Sequence, residues 1–161
     1  MTNTKIDCCR ACGCTELESV LSLGNQFVSN FVSKEDIHSG PQCPIELVLC
    51  KKCTLVQALY TAPQDFMYSR FYWYRSGVTD TMREALDDIV QAAQKLVPLY
   101  SGDVVLDIGS NDGTLLRCYP SYVTTVGVEP ATNFGAIAME GVDVFINDFW
   151  SYETYVKTKR V

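Results

Sequence analysis

Two Cys-x-x-Cys pairs, Cys9-Arg-Ala-Cys12 and Cys50-Lys-Lys-Cys53, constrain this chain more than any other feature. A two-residue gap lets both sulfurs of a pair converge on one point. Two such pairs complete the shell of a tetrahedral structural zinc site, with Zn–S of about 2.3 Å. Gly13 follows the first pair directly, where the backbone must fold back toward sulfur. Thirty-seven residues lie between Cys12 and Cys50, room for a small sub-domain rather than a bare hairpin. A closed four-sulfur shell leaves no position for water, so it fixes the fold and performs no chemistry. The competing reading, a redox Cys-x-x-Cys, belongs to a motif that stands alone beside a βαβ unit. Cys8 and Cys14 flank the first pair and Cys43 precedes the second; the spacing selects Cys9 and Cys12 over them. Cys118 reads as a small buried apolar residue, and His38, the single histidine, as a solvated loop residue.

The compartment decides between metal and disulfides. Seven of the eight cysteines fall within the first 53 residues, yet Met1 to Asp7 is polar and offers no signal-peptide core. No apolar run is long enough to cross a bilayer, so a cytoplasmic protein without a membrane partner is expected. A net charge of −6 over 161 residues argues against nucleic-acid binding through phosphate neutralisation.

Three regions follow one another: a zinc-binding module over 1–62, an aromatic linker and helix over 63–100, and an α/β region over 101–161. The first reads as turns and short strands, among them Glu46-Leu-Val-Leu before Cys50. The stretch Asp65–Arg75 is crowded with Phe66, Tyr68, Phe71, Tyr72, Trp73 and Tyr74. Met82, Leu86, Ile89, Val90, Ala93 and Val97 recur at helical spacing, predicting a helix over Thr79–Leu99 with Pro98 near its stop. Beyond Gly102, apolar runs predict strands at Val104–Ile108, of the buried parallel kind, Thr125–Glu129 and Val142–Ile146. Helices are expected at Gly113–Cys118, at Thr132–Glu140 with Gly141 as the stop, and from Trp150 to Lys157. Alternating strands and helices imply a parallel sheet covered on both faces.

Asp107-Ile-Gly-Ser-Asn-Asp-Gly113 joins the first of these strands to the first helix, the place where doubly wound sheets bind ligands. A dinucleotide loop needs a glycine where Asn111 stands, and Asp112 adds a charge that repels pyrophosphate. Adenosine carrying a cationic sulfonium and an amino group suits such a loop. Gly109 and Gly113 permit the tight turn, and Ser110 lies between them. Glu129, 22 residues after Asp107, ends the second strand, where a carboxylate accepts from ribose hydroxyls. Asp148 and Phe149 follow the third strand, placed to read an adenine amino group and pack on the ring; taken alone, Asp148 reads as a helix N-cap rather than a ligand contact.

Asp107-Ile-Gly-Ser-Asn-Asp-Gly-Thr-Leu-Leu116 and Gly127-Val-Glu-Pro130 resemble the cofactor motifs of the S-adenosylmethionine-dependent sugar C-methyltransferases. Tyr72-Trp-Tyr-Arg-Ser-Gly77 resembles that family's aromatic signature, and the two cysteine pairs resemble the knuckles of its N-terminal zinc domain. Leu23-Gly24, Asn30-Phe31 and Cys53-Thr-Leu-Val-Gln57 also fit that domain. The resemblance implies a Rossmann-like class I methyltransferase fold, of which three strands are legible here, preceded by a small zinc-binding module. It implies structural zinc on Cys9, Cys12, Cys50 and Cys53. It implies S-adenosylmethionine at Asp107, Gly109, Ser110, Asn111, Asp112, Gly113, Glu129, Asp148 and Phe149. Tyr72, Tyr74 and Arg75 would face a nucleotide-linked sugar, or the aromatics would cement the two parts of the chain; both roles fit an extended segment.

The expected reaction is methyl transfer to a carbon beside the ketone of such a sugar, after a base has removed the acidic proton. The family places its catalytic His and Glu further along than this chain reaches, so no catalytic residue is assigned here. The chain reads as the N-terminal part of a longer enzyme, inactive and self-associating when alone. Two rivals stand beside this reading: a noncatalytic zinc-ribbon interaction module with a vestigial nucleotide-binding domain, and an NAD-dependent enzyme, which Asn111 and Asp112 disfavour. Oligomeric state, sugar and nucleotide are not legible.

Overall fold

The computed structural model describes residues 2–28, 32–69 and 72–157, so Asn30, Phe31 and Phe71 of the motifs above lie outside the described residues. The chain divides into two compact units, Met1–Met67 and Tyr68–Val161.

The first unit is antiparallel. Strands β1 (Thr4–Lys5) and β5 (Tyr60–Thr61) form a two-stranded ladder, and β2 (Leu17–Phe27), β3 (Gln42–Cys50) and β4 (Val56–Ala58) form a sheet in that order. The register between β2 and β3 slips between Ser19 and Leu21 and again between Ser22 and Asn25, where Gly24 adopts φ +67°. Burial concentrates at the cysteine end, in Cys9, Val48, Cys50, Gln57 and Leu59, while Val20, Leu23 and Ile45 stand exposed. A unit with so few buried apolar side chains lacks the core that usually holds a domain of this size, which is the circumstance in which a metal staple matters.

The second unit contains α1 (Asp80–Leu96) and a parallel sheet of β6 (Val104–Ile108), β7 (Thr124–Val128) and β8 (Val144–Ile146), in that order. Thr79 caps α1 by accepting the Met82 N–H at 3.3 Å, and the helix ends before Val97, whose extended backbone is what a residue ahead of Pro98 adopts. The three strands lie at the expected places, with β7 one residue earlier and β8 beginning at Val144 rather than Val142.

The helices depart further from expectation. Gly113–Cys118 is not an α-helix: turns lead into one 3-10 turn at Leu116–Cys118, because Gly113 takes φ +77° and Tyr119, ahead of Pro120, is extended. Thr132–Glu140 is a 3-10 turn, Thr132–Phe134, running into α2 (Gly135–Ala138), and Gly141 supplies the left-handed stop at φ +69°. The last helix, α3 (Tyr152–Lys157), starts two residues later than read, with Ser151 accepting the Thr154 N–H at 3.0 Å as its cap.

Register fixes the faces of the sheet. Val126, Val128, Val144 and Ile146 form a buried cluster against Tyr155 of α3. Val104, Leu106 and Ile108 share that face by register, yet all three are exposed, and β6 is an edge strand among the described residues. The fully buried strand read at Val104–Ile108 is therefore corrected: its apolar side chains lie beyond the reach of α3. On the other face Gly127 pairs with Asp107 and Phe145, and Phe145 packs on the cluster of Ala131, Phe134 and Ala138.

Candidate metal centre and cofactor loop

Cys9, Cys12, Cys50 and Cys53 come together, all four sulfurs within 4.8 Å of one another. Cys9 Sγ lies 3.6 Å from Cys53 Sγ, and Cys12 Sγ 3.6 Å from Cys50 Sγ. A tetrahedron with Zn–S of about 2.3 Å has edges of about 3.8 Å, so the donor set fits zinc in chemistry and in size. Cys8, Cys14, Cys43 and Cys118 remain free thiols outside the cluster.

Two turns of the same design deliver the sulfurs. In the first, the Cys9 N–H donates to Cys14 O at 2.8 Å and the Gly13 N–H to Cys9 O at 2.9 Å. In the second, the Cys50 N–H donates to Leu55 O at 3.0 Å and the Thr54 N–H to Cys50 O at 2.9 Å. The fourth residue after the leading cysteine is left-handed in both: Gly13 at φ +71° and Thr54 at φ +60°. A β-branched residue in that region is strained, and the second turn carries that strain where the first does not.

The turns also set the charge on sulfur. The Cys12 N–H, then those of Ala11 and the Gln57 amide, bring the Cys9 thiol down to about 6. The Cys53 N–H, aided by that of Lys52, lowers Cys50. At Cys53 the Leu55 N–H pulls down, but the neighbouring sulfurs of Cys12 and Cys9, burial and Cys50 outweigh it and push the thiol up to about 12. Cys12 is also raised: the crowding of its neighbours and its burial outweigh the Cys14 N–H. Cys9 is thus poised as a thiolate while Cys12 and Cys53 keep their protons until a cation displaces them, so metal uptake releases protons and tightens as pH rises.

The glycine loop of the second unit is built from left-handed residues as well: Gly109 at φ +79°, Asn111 at φ +53° and Gly113 at φ +77°. Such alternation turns successive N–H groups to one side, a nest for an anion. The anion is the chain's own. Glu129, buried just past β7, accepts the Asn111 N–H on one oxygen at 2.9 Å and the Ala131 N–H on the other at 2.8 Å. Asp107, half-buried on β6, is pushed up first by burial and then by the charge of Glu129. A carboxylate held beside a second one in this way suits a cationic ligand.

The other loop side chains hold the aromatic segment rather than an open crevice. Asn111 Oδ1 accepts the Ser76 N–H at 3.0 Å, and its Nδ2 donates to Tyr74 O at 2.9 Å. Asp112, fully buried, accepts from the Gly77 N–H at 3.0 Å and the Thr114 hydroxyl at 2.6 Å, with Arg75 at 3.7 Å and Arg117 at 4.0 Å. A second amide clip joins Asn133 to Tyr72 in both directions, at 3.0 Å each. Burial works against the charge on Asp112, but the Thr114 hydroxyl, the Gly77 and Thr114 N–H groups and Arg117 prevail and lower its pKa. Sequence reasoning gave no role to Gly77, where a Cβ would stand 2.5 Å from Thr114 Oγ1, to Gln57 or to Asn133. Gly77 and Gln57 left a signal, each closing a motif; Asn133 left none.

The remaining positions divide. Tyr72 packs edge-on against Phe134 at 6.4 Å, so its ring is a core element; Tyr74 is exposed. Asp148 is exposed and accepts the N–H of half-buried Phe149 at 2.7 Å; the helix cap is Ser151, not Asp148. Ser110 Oγ is the one buried side-chain oxygen or nitrogen without a hydrogen-bond partner among the described residues, and it packs against Gly127 of β7.

Residues 9–68 match a family model described as "Putative zinc binding domain". Across 139 residues the chain is 29% identical to C-methyltransferase NovU of Streptomyces niveus, over 83% of its own length and 32% of that relative. The chain is thus similar to a C-methyltransferase over most of its length, and its first part to a zinc-binding domain. It spans about a third of the length of this curated relative. The zinc domain of the family coincides with the four-sulfur cluster, and the similarity to NovU extends well beyond that domain. Among the described residues no helix is long and apolar enough to cross a membrane.

Proposed function

We propose that this chain carries the structural zinc module and the S-adenosylmethionine-binding loop of a cytoplasmic enzyme that methylates a carbon beside the ketone of a nucleotide-linked sugar. The observation that carries the reading is the loop at the carboxyl end of β6. It keeps glycines at 109 and 113, places Asn111 where a dinucleotide loop has glycine, and sits beside the paired carboxylates Asp107 and Glu129. S-adenosylmethionine, when bound, supplies a methyl group on a cationic sulfur. Asp107 and the spare lone pairs of Glu129 favour a cation and hydroxyls beside them, and Asp148 and Phe149 remain accessible at the end of β8. Asn111 and Asp112 shape the site by holding Tyr74–Gly77 in place, which leaves exposed Tyr74 as the aromatic to meet a sugar and Arg75 to meet a phosphate. The similarity to a C-methyltransferase supports the reaction class.

Titration calorimetry with S-adenosylmethionine and with NAD⁺ tests the reading. Binding of the first and not the second is expected, weakened in Asp107→Asn. Binding of NAD⁺ alone sinks it. A second reading, a noncatalytic zinc module with a vestigial nucleotide fold, draws on the internal partners of Asn111, Asp112 and Glu129; it gains if neither ligand binds.

A further inference from the structure

The two cysteine turns are alike in backbone but not in what surrounds them. Gln57, on β4 and nearly fully buried, donates its Nε2–H to Cys9 Sγ at 3.2 Å. Its Oε1 accepts the Arg10 N–H at 3.1 Å and Arg10 Nη1 at 3.4 Å, which fixes the direction of the amide, nitrogen toward sulfur. Arg10 is itself anchored, through Ala58 O at 2.6 Å and Thr61 Oγ1 at 2.9 Å. A cation therefore pulls on the carbonyl end of an amide whose other end donates to a ligand sulfur, and hydrogen bonds in such a chain polarise one another.

We propose that Gln57 is a positioning residue of the metal centre: its amide, held by Arg10, orients Cys9 and sets how tightly the four sulfurs hold zinc. Four thiolates around a divalent cation carry two surplus negative charges, and Cys9 and Cys50 are buried. Burying that charge is costly unless donors face it. Backbone N–H groups face sulfur in both turns, and Gln57 adds a side-chain donor to Cys9. It forms an outer-shell partner of the kind that fixes ligand orientation.

The test uses the full chain loaded with zinc, and with Co²⁺ as a spectroscopic probe. Gln57→Glu keeps the shape and removes the donor; Gln57→Leu removes both ends of the amide. Each is expected to lower zinc affinity by about 10–100-fold in chelator competition. Each should also move the sulfur-to-cobalt charge-transfer band to longer wavelength, because a thiolate relieved of its hydrogen bond gives up its electrons more easily. Leu59→Ala, which loosens the same buried cluster without touching sulfur, should leave that band in place. Should Gln57→Leu not fold, Arg10→Met moves the band in the same direction by less. A parent chain that takes up no metal overturns the zinc reading and this inference together. Metal in the parent, with Gln57 variants that leave the band unshifted, overturns this inference alone, whether affinity holds or falls.

Discussion

In the sulfur centre, the amides of Ala11, Cys12, Lys52 and Cys53 point at Cys9 and Cys50, so the donors converge on atoms whose remaining partner is a cation. In the glycine loop, the Asn111 amide points at Glu129, and the side chains of Asn111 and Asp112 are occupied by Tyr74, Ser76 and Gly77. Both regions rely on left-handed residues, yet one is finished only by its ligand and the other is finished by its own chain. Removing the ligand should ruin the first and barely disturb the second.

The largest effect expected from that contrast is the loss of metal. Cys50→Ser, or exhaustive chelation, should empty the site and unfold the antiparallel sheets of the first unit, since a structural zinc contributes on the order of 10 kcal/mol to folding. Elemental analysis with amide spectra reads both, and spectra in which β2 and β3 survive without metal would break the comparison. Asp112→Ala comes next. It leaves the Gly77 N–H and the Thr114 hydroxyl without their buried acceptor and Arg117 without its counter-charge, and should lower unfolding stability by about 3 kcal/mol in denaturant titration. Its pH signature has a definite sign. The carboxyl sits below its ordinary value of 3.8, so its contribution is whole above that value and fades as pH falls through the lower, folded one. The variant should lack that acid-labile component.

A smaller effect is expected from Glu129→Gln, which sets an amide nitrogen against one of two backbone donors and should cost about 1–3 kcal/mol. The smallest effect separates the two cysteine turns themselves. Gly13→Ala should cost about 1 kcal/mol through its left-handed backbone, with open space around the new Cβ, whereas Thr54→Gly should be neutral or gain a few tenths. Equal responses would show that strain at Thr54 is relieved elsewhere.

The sulfur centre was legible because a two-residue gap fixes reach by itself, whatever lies between the pairs. The strands were legible because runs such as Val104-Val-Leu-Asp-Ile have no other way to hide; that their outer side chains stay exposed depends on where α3 packs, which no local pattern records. Asn111, Asp112 and Glu129 were found as positions but not as partners. An amide or carboxylate bonds equally to ligand or backbone, and the choice was made 35 residues back at Ser76 and Gly77. Gln57 reaches Cys9 across 48 residues and Asn133 reaches Tyr72 across 61, distances at which sequence spacing carries no geometric information. The short helix at Gly113–Cys118 failed for the opposite reason: Gly113 and Pro120 leave too few residues for propagation to repay nucleation.

Gly77 has no room for a methyl group: a Cβ there would stand 2.5 Å from Thr114 Oγ1 and 3.0 Å from Asp112 Oδ2. Positions 77 and 114 therefore cannot drift independently as such proteins diverge. A relative that acquires alanine at the first position must have traded the threonine at the second for something smaller, or have let the aromatic segment lift from the loop. Threonine is the residue that caps Asp112, so that trade would also surrender the strongest hydrogen bond holding the buried carboxylate. The glycine, the aspartate and the threonine should accordingly be kept or lost as a set, and a relative that has lost all three will have rebuilt the cover of its glycine loop by other means.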